Sequence, residues 1–111
     1  MEDELIDIES FRKVKLQVGT VIAAEKVEKS NKLLKLRISF GSFEKTILSG
    51  ISQYYAPQDL INKKLVVITN LKHAKMMGLE SEGMVLAAQD ENGVLSLLTV
   101  DKDVKDGAVV S

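Results

Sequence analysis

The stretch "ILSGISQYYAPQDLINKKLVVITNL", Ile47 to Leu71, decides the fold. It opens on the end of one strand-like run and closes on "KLVVITNL" (64–71), which is almost continuously apolar and β-branched, as a strand buried on both faces would be. Between the two runs lies the chain's single proline, Pro57. Ser52 can cap a short helix there, and Pro57 can open a further turn with Asp59 at its start. The stretch therefore reads as strand, short helix, strand.

The residues before it add two more strands. "VKLQVGTVIAAEKVE" (14–28) sets Val14, Leu16 and Val18 against Lys15, Gln17 and Gly19, then continues with Val21 and Ile22. This predicts a long strand bent at Gly19, with Lys15 and Gln17 on its outward face. "LLKLRISF" (33–40) puts Leu34, Leu36, Ile38 and Phe40 on one side and Lys35, Arg37 and Ser39 on the other. Gly41 and Ser42 then turn the chain into "FEKTILSG" (43–50). Downstream, "GMVLAAQDENGVLSLLTV" (83–100) pairs two strands around the turn at Glu91 to Gly93. Five short strands with a helix between the third and fourth follow the order of an all-β, five-stranded Greek-key barrel of the OB type. A single domain is expected, with an N-terminal segment over about 1–12, the barrel core over about 13–92 and a C-terminal extension of extra strands over about 93–111.

Composition narrows the chemistry. A chain of 111 residues with 45% hydrophobic side chains has enough for one core and too little for two. It has no cysteine and one histidine, His73, which excludes disulfides and thiolate metal sites and leaves few zinc arrangements. No phosphate-binding glycine loop and no nucleophile triad can be assembled. Asp101, Asp103 and Asp106 lack the spacing of a calcium loop and read as a solvated acidic turn. No window approaches the apolar length of a membrane span and no secretory leader is evident, so a cytoplasmic protein with no membrane partner is expected.

Net charge is only -1, but the signs are sorted along the chain. Residues 1–9 carry five acids and no base, residues 12–37 eight bases and two acids, residues 44–75 five bases and two acids, and residues 80–111 seven acids and two bases. A local basic surface can collect phosphates whatever the total, because distant acids are screened beyond a Debye length of about 8 to 10 Å.

The segments "VKLQVGTVIAAEKVEKSNKLLKLRISFG", "ILSGISQYYAPQDLINKKLVVITNLK" and "KMMGLESEGMVLAA" fall in a recognisable order. From about Ile8 onward the chain resembles the tRNA-binding domain appended to the C-terminus of methionyl-tRNA synthetases. Similar modules occur as free-standing tRNA-binding proteins and in endothelial monocyte-activating polypeptide II. "SNKLLKL", "SGISQYY", "NLK" and "GLESEGM" are the most specific parts. The resemblance implies an OB fold, a homodimer in the bacterial versions, and binding of tRNA by shape more than by sequence; no catalytic residue and no cofactor is expected. The chain departs from the family at Lys15 and Gln17, where an acid and an arginine are usual, and at His73, where proline is usual. A histidine there loosens the loop backbone while adding a ring that can stack.

On this reading, "LKHAKMMGLESEGM" (71–84) is a loop at the barrel mouth. Lys72 and Lys75 would meet phosphates, Gly78 and Gly83 would let backbone approach RNA, and the Ser81 hydroxyl would reach a phosphate or 2′-OH. Met84, together with Met77, would lie against a base. Ser30, Asn31 and Lys32 at the first hairpin turn, with Lys35 and Arg37 behind them, would form the other side of a groove, and Asn70 would bond RNA from the end of its strand. Tyr54 and Tyr55 would serve to close the barrel with at least one ring.

The leading expectation is a non-catalytic tRNA-binding homodimer, either free-standing or attached to a methionyl-tRNA synthetase catalytic domain as a further partner. Dimerisation would bury apolar residues in "GVLSLLTV" and the tail "DGAVVS", whose edges are expected to be unpaired. The alternative is a chaperone or export-related peptide-binding protein with the same core. A general single-strand binder is disfavoured, because such proteins line their grooves with aromatic rings and only 5% of this chain is aromatic.

Overall fold

The computed structural model describes residues 3–111. Ten strands follow one helical turn: α1 (Ile8–Arg12), β1 (Leu16–Lys26), β2 (Leu34–Ser39), β3 (Glu44–Ser49), β4 (Lys64–Ile68), β5 (Ala74–Met76), β6 (Leu79–Ser81), β7 (Met84–Val85), β8 (Ala87–Gln89), β9 (Leu95–Leu97) and β10 (Val109–Val110). The barrel is built from β3-β2-β1-β4-β7, antiparallel throughout. Five strands of this order match the barrel expected from the sequence. The expected helix between β3 and β4 shrinks to a single 3-10 turn, Pro57–Asp59, which drops Leu60 into the core. Ser52 does not cap it; its hydroxyl donates instead to the Asn31 carbonyl (3.0 Å).

The alternation in β2 works as written: Leu34, Leu36 and Ile38 are fully buried beside Phe40, while Lys35 and Arg37 face outward. They pack with Val21, Ile47, Ile51, Leu60, Leu65, Val67, Val85 and Leu97 in one contiguous core. Tyr55 closes one side of it, and its hydroxyl accepts from the Leu97 N–H (3.1 Å).

β1 differs from its expected form in two ways. Its irregularity falls between Val21 and Ala23 rather than at Gly19, since the Val21 N–H and C=O are diverted to Lys63 and Asn62 of the loop before β4. Gly19 instead marks a close approach, because a Cβ there would stand 2.5 Å from Ile38 Cγ2 and 2.7 Å from Phe40 Cε1. Gln17 is buried, not outward: it receives a hydrogen bond from the Thr69 hydroxyl (2.7 Å) and donates Nε2 to the Gly107 carbonyl (3.2 Å). A buried amide is tolerated when both of its ends are bonded.

The chain ends also differ. α1 was not anticipated; Asp7 caps it by accepting from the Ser10 N–H (2.7 Å), and that bond holds the Asp7 carboxyl below its usual range. The tail is not an unpaired edge. Val109–Val110 pairs with Leu16 and Gln17 at the start of β1. Asp106 accepts from the Thr20 hydroxyl, and Lys64 bonds Asp103 (2.8 Å) and the Val104 carbonyl. The acidic turn is thus tied down on β1 and β4, although Asp103 stays open to solvent.

Candidate nucleic-acid interface

Residues 71–84 are a hairpin, not the irregular loop expected. β5 and β6 pair in the register Ala74↔Ser81, Lys75↔Glu80 and Met76↔Leu79 around the two-residue turn Met77-Gly78. Both turn residues have positive φ, 53° and 77°, as a tight hairpin turn requires. Glycine takes this conformation freely, and Met77 takes it with its side chain 56% exposed.

This hairpin also closes the barrel. The Glu82 N–H donates to the Thr46 carbonyl (2.8 Å), the Thr46 N–H donates to Glu82 Oε1 (2.7 Å), and the Leu48 N–H donates to the Ser81 hydroxyl (3.0 Å). Ser81 differs from the expectation of a ligand contact: it is 3% exposed, and its hydroxyl is committed to Leu48 on one side and the Gly83 carbonyl (3.0 Å) on the other. Gly83 likewise serves the interior, since a Cβ would lie 2.7 Å from the Ile68 carbonyl.

The first hairpin turn stands beside the second. A groove of about 450 Å³ is lined by Glu25, Lys26, Val27, Glu28, Lys29 and Lys35 from β1, β2 and their turn, and by Met77 and Leu79 from the β5–β6 hairpin. The two basic elements expected to bracket a ligand are therefore neighbours. Lys26 and Lys29 were missed in the sequence, although they lie in its most basic block. The turn itself is held by Ser30, whose hydroxyl accepts from the N–H groups of Lys32 (3.2 Å) and Leu33 (3.1 Å), while the Asn31 and Lys32 carbonyls are taken by Ser52. Ser30 shapes this turn with its side chain, whereas the Asn31 and Lys32 side chains are exposed.

The remaining expected residues divide by how far their polar groups are already engaged. Lys35 reaches Glu25 at 3.6 Å. Arg37 is held more firmly, donating Nε to Glu44 (3.1 Å) and Nη1 to the Thr46 hydroxyl (2.7 Å), with Glu82 at 3.8 Å. Asn70 is a clamp: it accepts from the Lys15 N–H (2.8 Å) and donates to the Lys13 carbonyl (2.6 Å), which joins the end of β4 to the approach to β1. Met84 is half exposed at the start of β7, paired with Ile68, and does not line the groove. Lys72 and Lys75 are exposed, and among the described residues neither has an acid within ion-pair distance. A hairpin with two unpaired ammoniums, beside a turn with three more lysines, can neutralise phosphates spaced along a backbone.

The family described as "Putative tRNA binding domain" matches residues 16–109. The chain belongs to this family. The tRNA-binding domain is 54% identical over 107 residues to the methionine–tRNA ligase of Methanocaldococcus jannaschii, covering 96% of the chain and 16% of that enzyme. It is 47% identical over 108 residues to the methionine–tRNA ligase of Caldanaerobacter subterraneus, covering 97% of the chain and 17% of the enzyme. The domain therefore spans about a sixth of the length of these curated relatives, and it corresponds to their non-catalytic module. Among solved structures it is similar to a methionyl-tRNA synthetase-related protein from Pyrococcus horikoshii, with a TM-score of 0.93, 40% identity and coverage of 98% of this chain and 100% of the other. It is also similar to the chaperone CsaA from Bacillus anthracis, with a TM-score of 0.89, 30% identity and coverage of 97% and 100%. No helix among the described residues is long and apolar enough to cross a membrane.

Proposed function

We propose that this tRNA-binding domain recognises the folded outer corner of tRNA by shape, as a cytoplasmic homodimer, either free-standing or as an appendage that assists a methionyl-tRNA synthetase. The observation that carries the reading is the shared groove between the β1–β2 turn and the β5–β6 hairpin. Its lining supplies ammoniums from Lys26, Lys29 and Lys35 beside Val27, Met77 and Leu79, and Lys32, Lys72 and Lys75 belong to the same two chain segments outside that lining. Lysines give charge without a fixed fork, and no aromatic ring lines the groove, so the site favours a particular arrangement of phosphates over a base sequence. Ser30 and Ser81 act in this reading by holding the two arms, Asn70 by clamping the end of β4 to the approach to β1, Arg37 by organising the face behind the arms, and Met84 by an apolar contact with RNA outside the groove.

The dimer rests on a different face. An apolar groove of about 530 Å³ runs between α1, the start of β1 and β10, lined by Ile8, Phe11, Val14, Leu16, Val109 and Val110 among others. Leu5, Ile6, Ile8 and Val109 are each more than half exposed. Apolar side chains gathered at both chain ends are best covered by a second copy through a twofold axis.

The same apolar groove, with the likeness to CsaA, favours a second reading in which an unfolded peptide is bound. Folded tRNA, heat-unfolded RNA and an unfolded polypeptide, titrated in parallel at low and high salt, separate the two. Shape reading requires preference for folded tRNA with a log–log salt slope of about -0.7 to -0.9 per phosphate contacted. A flat salt response with peptide preferred would replace it with the chaperone reading.

A further inference from the structure

Lys75 and Glu80 are direct cross-strand partners in the β5–β6 hairpin. Opposite charges at such positions ordinarily pair. Here they do not. The Glu80 carboxylate is taken diagonally by His73, with Nδ1 to Oε1 at 2.6 Å, and Lys75 has no acid within ion-pair distance among the described residues. His73 stands two residues before Lys75, so both side chains project from the same face of the hairpin as Glu80. An ionised carboxylate only accepts hydrogen bonds, so the ring donates from Nδ1.

We infer that His73 is a positioning residue that holds Glu80 away from Lys75 and so keeps the Lys75 ammonium available for phosphate. Lys75 is the cation nearest the hairpin turn, and pairing with Glu80 would cancel it in place. The imidazole prevents this without adding an acid or a base of permanent charge to the rim. The inference rests on the tRNA-binding reading of this hairpin.

Four variants test it: Lys75→Ala, His73→Ala, Glu80→Gln and the double variant His73→Ala/Glu80→Gln. All are titrated with folded tRNA across a salt series at one fixed pH. His73 and Glu80 are both about half exposed (44% and 51%), so the fold should survive, and circular dichroism checks that it does. Lys75→Ala should weaken binding and flatten the log–log salt slope by about 0.7 to 0.9 unit. His73→Ala should weaken binding by about twofold to fivefold, the scale of an exposed ion pair, and move the slope toward that of Lys75→Ala. Glu80→Gln should bind at least as well as the native chain, and the double variant should match Glu80→Gln. If Lys75→Ala binds unchanged, the tRNA reading of the hairpin fails and this inference with it. If Lys75→Ala weakens binding while His73→Ala does not, only the sequestration of Glu80 is wrong. A double variant as weak as His73→Ala alone would likewise overturn it, assigning the ring a direct contact instead.

Discussion

Replacing Ser81 by alanine should loosen the barrel before it touches any ligand. Among the described residues the hydroxyl is the acceptor the structure gives the Leu48 N–H, and β2 lies on the opposite edge of β3. Leu48 is 4% exposed and Ser81 is 3% exposed, so water does not readily fill the gap. A buried N–H left without a partner costs about 1 to 3 kcal/mol, while the Gly83 carbonyl, which is partly exposed, recovers most of its lost bond from solvent. A net loss of about 2 kcal/mol is expected, lowering the melting temperature by roughly 10 °C for a domain of this size. Urea unfolding at fixed protein concentration should show a lower midpoint with an unchanged slope, since association would otherwise make stability concentration-dependent. Ser96→Ala is the control, because its exposed hydroxyl reaches only the next residue's carbonyl at 3.5 Å. A Ser81→Ala change below about 0.5 kcal/mol, no larger than ordinary surface substitutions, would refute the idea that this hydroxyl closes the barrel.

Gly19→Ala should cost about 1 to 3 kcal/mol in the same urea assay, because its Cβ would overlap Ile38 and Phe40 in the core. If the proposed dimer uses this face, Phe11→Asp should give a monomer in sedimentation at micromolar concentration, under conditions where the unsubstituted chain is dimeric, without loss of secondary structure; an intact dimer would remove the proposed twofold face. The Asp103 carboxyl is held below its ordinary value of 3.8, first by the hydrogen bond from Lys64 and then by that ammonium's charge. A depressed folded value gives stability that is present above pH 3.8 and is lost as pH falls through the folded value, so Asp103→Asn should flatten the acid limb of the stability curve below about pH 4. The change should be small, since Asp103 is open to solvent.

What could be read from the sequence follows the range of each interaction. Leu34, Leu36 and Ile38 alternate over six residues against Lys35 and Arg37, and a period of two over that length has one reading. The β5–β6 hairpin offers three residues per strand and a Met-Gly turn instead of the Asn-Gly that ordinarily signals one, so its pairing left no legible pattern. Gln17 could not be placed because its partners, Thr69 and Gly107, lie 52 and 90 residues away. The same holds for the candidate site. Clustered lysines were visible as charge blocks, and the two arms they occupy are in fact adjacent. Which polar groups were already spent was invisible: the bonds of Ser81 to Leu48 and Asn70 to Lys15 span 33 and 55 residues. Short polar side chains in a binding motif look the same whether they face a ligand or hold the frame that presents one.

β1 is eleven residues long, and its two ends do different things. Leu16 lines the apolar groove shared with α1 and β10, and Lys26 lines the groove between the hairpins. At about 3.3 Å per residue, roughly 30 Å of strand separates them. Helix α1 and strand β10 both lie at the Leu16 end, so a polypeptide continuing from either would leave from the pole opposite Lys26 and Lys29. Such a polarised module can be carried on a tether by a larger enzyme, or meet its twin base to base, without changing what its far end presents to solvent.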